Sequence, residues 1–155
     1  GSVLLQPDAV NTLRDVLLPL ATVLTPNLPE AAHLLNTSTA KTRDEMVAQG
    51  RGLFALGARS VLIKGGHLEG VDSPDCLVTA DGVTWFDAPR TPTVNTHGTG
   101  CTLSSALAAQ LAKGLSIEEA TAAAKSFVAN AITHAGDLSV GKGHGPTHHF
   151  AKLYP

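Results

Sequence analysis

Apolar residues recur at helical spacing in Ala9, Val10, Leu13, Val16 and Leu17, and Pro19 closes that stretch, which predicts a first helix. The period then changes. Ala21 to Leu24 is a short continuous apolar run ending in Thr25-Pro26-Asn27, the form of a buried parallel strand that leads into a loop. Pro29 can open a helix over Glu30 to Leu35, and Thr42-Arg43-Asp44-Glu45 reads as a capping box for another that reaches Leu56 and stops at Gly57. Ser60 to Ile63 predicts a second buried strand, whose carboxyl end carries Lys64-Gly65-Gly66-His67. Asp75 to Thr79 and Val83 to Asp87 alternate around Ala80-Asp81-Gly82 and predict an antiparallel hairpin. A helix then follows the glycine-rich turn at Gly98 and stops at Gly114. Ser116 and Glu119 cap an alanine-rich helix that runs to about His134. These two helices are expected to pack against the sheet. Strands alternating with helices predict an α/β fold with a parallel sheet.

Composition narrows what such a fold does. The 155 residues are 43% hydrophobic, enough for a single domain, 1–155, with its own core. Net charge is −2 with both signs interspersed, so neither nucleic acid nor a membrane is expected as a partner, and small molecules are. Cys76 and Cys101 lie in different segments without C-x-x-C spacing, which argues against a disulfide scaffold and for a reducing cytoplasm. The most apolar stretch, 102–112, is too short to span a bilayer and contains Ser104, Ser105 and Gln110.

In open α/β sheets ligands bind beyond the carboxyl ends of the strands, and three places in this chain carry polar groups there. Asn27 and Glu30 can organise a hydrated magnesium ion; alternatively, Asn27 can cap the following helix and Glu30 can be a solvated first-turn acid. Lys64, beside Gly65 and Gly66, is either a point charge for a nucleotide phosphate or an ordinary flanking lysine. The run Asn95-Thr96-His97-Gly98-Thr99-Gly100-Cys101 is the richest. Gly98 and Gly100 permit positive φ and close backbone approach, so successive N–H groups can converge on an anion at the positive end of a helix. Cys101 then falls in the first turn, where a thiolate is favoured. His97, His144, His148 and His149 lack the H-x-x-x-H spacing and the accompanying carboxylate or thiol of a zinc site. Cys76, in an apolar strand, reads as a small buried hydrophobe.

Four segments in this order, Thr25-Pro-Asn-Leu-Pro-Glu30, Val61-Leu-Ile-Lys-Gly-Gly-His67, Asn95-Thr-His-Gly-Thr-Gly-Cys101 and Val140-Gly-Lys-Gly-His-Gly-Pro146, closely resemble the hydroxymethylpyrimidine/phosphomethylpyrimidine kinases, thiamine-pathway members of the ribokinase superfamily. The resemblance covers essentially the whole chain. It implies a ribokinase-like three-layer α/β/α fold with a mostly parallel sheet. The implied reaction is transfer from ATP, with Mg2+, to 4-amino-5-hydroxymethyl-2-methylpyrimidine and then to its monophosphate. By the same resemblance Cys101 is the base, where related sugar kinases place an aspartate, and Gly98, Thr99 and Gly100 form an anion hole over the transferring phosphoryl group. Asn27 and Glu30 organise magnesium, Lys64 reaches the nucleotide phosphates, and Gly66 and Lys142 lie near the nucleotide. A homodimer is also implied.

The family's members are longer, and their amino-terminal half supplies the first strands, a glycine-rich segment and most pyrimidine contacts. The chain is therefore expected to correspond to their carboxyl-terminal, ATP-side portion, with Gly1 to Leu5 fitting just ahead of the first helix. Three other readings compete: a pyridoxal-type kinase of the same superfamily, a nucleotide-binding fragment inactive without the other half, and a cysteine hydrolase or acyl transferase pairing Cys101 with His97, for which no orienting acid is evident.

Overall fold

A computed structural model describes residues 7–153, so the expectation for Gly1 to Leu5 lies outside the described residues. Contacts divide the chain into two compact units, Gly1–Asp87 and Ala88–Pro155.

In the first unit, helix α1 (Pro7–Thr12) continues into a π-type turn at Leu13–Leu17 and a 3-10 turn at Leu18–Leu20 before the backbone becomes extended at Ala21. Pro19 does not end the helical path. It sits at the start of the 3-10 turn, where a missing N–H leaves no bond unmade. Helix α2 (Leu28–Leu35) ends in a left-handed Asn36, and α3 (Arg43–Ala55) begins at Thr42, whose side chain accepts the Glu45 N–H. Only half of the expected capping box forms there, because the Glu45 carboxylate accepts from the Lys41 N–H instead.

Strands β1 (Val61–Lys64), β2 (Asp75–Thr79) and β3 (Gly82–Phe86) make a sheet in that order, antiparallel throughout, with Ile63 opposite Cys76 and Cys76 opposite Trp85. The β2–β3 hairpin is as expected; the pairing of β1 with β2 is not. Residues 65–74, with a 3-10 turn at Gly65–His67, hold no crossover helix and are fewer than the dozen or so residues a parallel crossover needs, so the chain folds back on itself.

In this unit parallel pairing takes the form of isolated bridges, Leu24 with Val61 and Asn27 with Lys64. Leu24 donates to the Ser60 carbonyl at 3.0 Å and accepts from the Leu62 N–H at 2.8 Å, and the Pro26 carbonyl accepts from the Lys64 N–H at 2.9 Å. The next rung would need an N–H from Pro26, which has none. The expected strand at Ala21 to Leu24 is thereby reduced to isolated bridges.

The core of this unit gathers Leu28 and Ala31 of α2, Met46 and Leu53 of α3, and Val61, Ile63 and Cys76 of the sheet. Helix α3 lies close on the sheet because Gly50 has no side chain: a Cβ there would stand 2.6 Å from Val78 Cγ2. At its start, Arg43 stacks 4.7 Å over the Trp85 ring and pairs with Asp87, tying the helix to the hairpin.

The second unit is built on α4 (Thr99–Ala112) and α5 (Ile117–Thr133), which pack on each other through small and branched residues, among them Leu103, Leu107, Ala120, Ala124 and Val128. Gly114, at φ +89°, turns the chain between them. Ser116 and Glu119 form a full capping box, and the Ser116 hydroxyl and then its N–H hold the Glu119 carboxyl below the ordinary range. Among the described residues no helix is long and apolar enough to cross a membrane.

Candidate functional site

In the first unit the structure brings Asn27, Glu30 and Lys64 together. The Asn27–Lys64 bridge sets the start of α2 beside the end of β1. Asn27 Oδ1 accepts the Glu30 N–H at 2.8 Å, Glu30 Oε2 accepts the Asn27 N–H at 2.7 Å, and Lys64 Nζ lies 3.9 Å from the same Oε2. The helix-capping role of this pair is therefore realised. Among the described residues it leaves Glu30 Oε1 without a partner, in a half-exposed carboxylate beside a cation. Oxygen donors of this kind suit Mg2+, which keeps most of its waters and needs few protein ligands. Among the described residues no three His, Cys, Asp or Glu side chains stand close enough to hold a metal on their own.

After Lys64 the backbone turns at Gly65, whose N–H donates to Asp75 Oδ1 at 2.9 Å. Asp75 is a buried acid, and sequence reasoning passed over it as a strand residue. Its signal, an acid at the start of an otherwise apolar strand, has meaning only once β1 and β2 are known to pair. Gly65 is buried and Gly66 exposed, so the two glycines of this turn face different demands.

In the second unit Gly98 is the N-cap of α4, at φ +82°, a left-handed conformation that favours glycine. Thr99 folds back on the turn: its N–H and its hydroxyl both donate to the Thr96 carbonyl, at 3.3 and 2.7 Å. The Gly98 carbonyl accepts from the Thr102 N–H at 2.8 Å. No described residue accepts from the N–H groups of Gly98, Gly100 or Cys101. They are donors at the positive end of a helix, free to receive an anion. The Cys101 side chain is exposed and opens on a concavity of about 550 Å³, also lined by Thr102, Ser105, Phe127 and His149. Lys142 lies in an exposed loop, without a hydrogen bond or ion pair to any described residue. Asn95, Thr102 and His149, none of them among the expected site residues, all bond to this turn or to the segment beside it.

The two thiols differ sharply. Cys76 is wholly buried in β2, and burial above all pushes its thiol up to about 11 against the pull of Arg43 and Arg51. Iodoacetamide is expected to label Cys101 in the folded protein and Cys76 only after denaturation. Peptide mapping by mass spectrometry checks this, and native labelling of Cys76 would contradict the packing of β2.

The family model for phosphomethylpyrimidine kinase matches residues 1–148. The hydroxymethylpyrimidine/phosphomethylpyrimidine kinase of Salmonella typhimurium is 54% identical over 97% of this chain and 56% of its own length. Among solved structures, the pyridoxal kinase of Staphylococcus aureus with AMP-PCP and pyridoxal superposes with a TM-score of 0.91 at 32% identity, over 99% of this chain and 56% of that one. The ADP complex of Bacillus subtilis pyridoxal kinase gives 0.90 at 39% identity, over 96% and 57%. The chain has the α/β kinase fold of these proteins and spans about half their length. A family match over nearly every residue, together with a glycine turn of unfilled amides ahead of an exposed thiol, leads to one conclusion: this chain belongs to the phosphomethylpyrimidine kinase family.

Proposed function

We propose that the protein carrying this chain transfers the γ-phosphoryl group of ATP to the hydroxymethyl oxygen of 4-amino-5-hydroxymethyl-2-methylpyrimidine, and then a second one to the monophosphate, supplying the diphosphate for thiamine synthesis. The observation that carries this reading is the free amide set of Gly98, Gly100 and Cys101 at the head of α4, within a chain of this family. Phosphoryl transfer calls mainly for positioning and for neutralisation of charge on the transferring group, and converging N–H donors supply both. Gly98, Thr99 and Gly100 form the anion hole, with Thr99 closing the turn through its bonds to Thr96. In the first transfer the Cys101 thiolate takes the hydroxyl proton as the acceptor oxygen bonds to the γ-phosphorus; the bond to the β-phosphate oxygen breaks and ADP leaves.

Lys64 binds nucleotide phosphate as a point charge, and the Gly66 backbone and Lys142 contact the nucleotide. Asn27 and Glu30 would hold Mg2+, which would supply positive charge to the nucleotide phosphates. The ADP and AMP-PCP in the related structures support ATP as donor. We further infer a ribokinase-like three-layer α/β/α architecture with a mostly parallel sheet for the complete protein, acting as a homodimer in the cytoplasm.

Steady-state assay of the full encoded protein tests the reading. Both the pyrimidine and its monophosphate are expected to be phosphorylated, with kcat/KM for the pyrimidine at least about tenfold above that for pyridoxal. A preference for pyridoxal would favour the second reading, which the two pyridoxal kinase structures support. Magnesium-ATP binding without transfer to any acceptor would reject both.

A further inference from the structure

The histidine-rich segment after Lys142 has no part in the reaction as proposed. In the structure it runs beside the glycine turn within the second unit. Pro146 forms a parallel bridge with His97, and the His97 N–H donates to the Gly145 carbonyl at 3.2 Å. The Gly145 N–H donates to Asn95 Oδ1 at 3.0 Å, and Asn95 Nδ2 donates to the Ala135 carbonyl at 3.1 Å. A Cβ on Gly145 would stand 2.5 Å from Asn95 Oδ1, so a side chain here would push the Asn95 amide off its bonds. The His148 N–H, donating to the Ala131 carbonyl at 2.8 Å, moors the segment on the end of α5.

Beyond that mooring, His149 Nε2 lies 2.8 Å from Thr102 Oγ1, and Thr102 Oγ1 lies 2.8 Å from the Gly98 carbonyl oxygen. A carbonyl only accepts, so the single hydroxyl proton of Thr102 points at Gly98. The hydroxyl must then accept from the ring, which makes His149 Nε2 the donor; Thr147 Oγ1, at 3.3 Å, also faces that nitrogen. The bonds therefore run in one direction, from His149 through the buried Thr102 to the Gly98 carbonyl, and each polarises the next. Gly98 is the N-cap whose carbonyl already receives the Thr102 N–H. With two donors on it, that carbonyl cannot swing, and the peptide planes that aim the following amides are held.

We propose that His149 and Thr102 are positioning residues, which hold the Gly98 peptide so that the amides of the turn stay aimed at the transferring phosphoryl group. The proposal rests on the anion-hole reading above. Its signature is a loss in kcat rather than in nucleotide affinity, because preorganised donors act on charge that develops during transfer.

The test compares Thr102→Val, His149→Phe, His149→Gln and the Thr102→Val/His149→Phe pair in the full encoded protein, with ATP and the pyrimidine as substrates. Thr102→Val and His149→Phe are each expected to lower kcat about tenfold, with KM for ATP within about twofold. The pair should be no slower than Thr102→Val alone, since both act through one carbonyl. His149→Gln keeps an N–H donor at that position and should recover most of the rate. Losses that multiply in the pair, a His149→Gln as slow as His149→Phe, or a fall in Tm with kcat intact would each overturn the proposal. Gly98→Ala, which strains the turn at φ +82°, separates it from its premise. If Gly98→Ala lowers kcat and Thr102→Val does not, only the bracing role fails; if Gly98→Ala leaves kcat intact, the anion hole fails and the bracing role with it.

Discussion

Replacing Cys101 by alanine is expected to slow the first phosphoryl transfer by about a hundredfold, while the second stays within a few-fold of its rate. The argument turns on what each acceptor brings. A hydroxymethyl group must lose its proton as its oxygen bonds to phosphorus, and a base positioned there contributes on the order of 10² to 10⁴. The monophosphate already presents an anionic oxygen and needs little help of this kind. Alanine removes the exposed thiol but keeps the Cys101 N–H, one of the turn's amides without an acceptor among the described residues, so the anion hole is preserved while the base is lost. The expected loss in the first step, about 2.7 kcal/mol in barrier, is large enough to set it apart from the second by assaying each acceptor separately. Equal losses for both would mean that Cys101 acts through the shape or charge of the turn and takes no proton.

What the chain reveals by itself is mostly what is local. Ser116 with Glu119 and Gly114 before them locate the junction of α4 and α5, since each signal acts within one helical turn of the residue that carries it. The β2–β3 hairpin was legible for the same reason. The β1–β2 pairing was not, because nothing within Val61–Lys64 distinguishes a parallel from an antiparallel neighbour; the length of the connection decides it. Pro26 was visible as a loop residue, yet its effect on the parallel ladder appears only once Leu62 and Lys64 lie opposite.

The site divides in the same way. Gly98, Gly100 and Cys101 could be singled out because a glycine turn before a helix is a local arrangement with local chemistry. Asn95 and Gly145 are 50 residues apart, and His149 reaches Thr102 across 47, so their bonds to the turn have no counterpart in any window of sequence. For Asn27 and Glu30 a capping and a metal reading were both open; the structure shows the capping box, which engages Oε2 and leaves Oε1 without a partner among the described residues.

Gly65→Ala is expected to have the largest effect on stability. An ideal Cβ on Gly65 would fall 1.8 Å from the Pro74 carbonyl oxygen and 3.1 Å from Met46 Cε. The first of these is backbone, in a buried turn, and cannot rotate away as a side chain could. Relief requires that the 65–74 connection lift off the end of β1, and that movement breaks the Gly65 N–H bond to buried Asp75 and opens the core around Met46. Overpacking of this kind costs about 3 kcal/mol or more once a buried hydrogen bond is lost with it. In a chain of this size that corresponds to a fall in Tm of roughly 10 °C. The neighbouring Gly66→Ala is the internal control, because its Cβ would meet nothing closer than Ser73 Oγ at 3.7 Å. It should melt within about 2 °C of the parent, its effect appearing instead in KM for ATP. Thermal unfolding of the two variants side by side, with and without ATP, checks both; a Gly65→Ala protein that melts with the parent would mean that the turn after β1 is not held against Pro74.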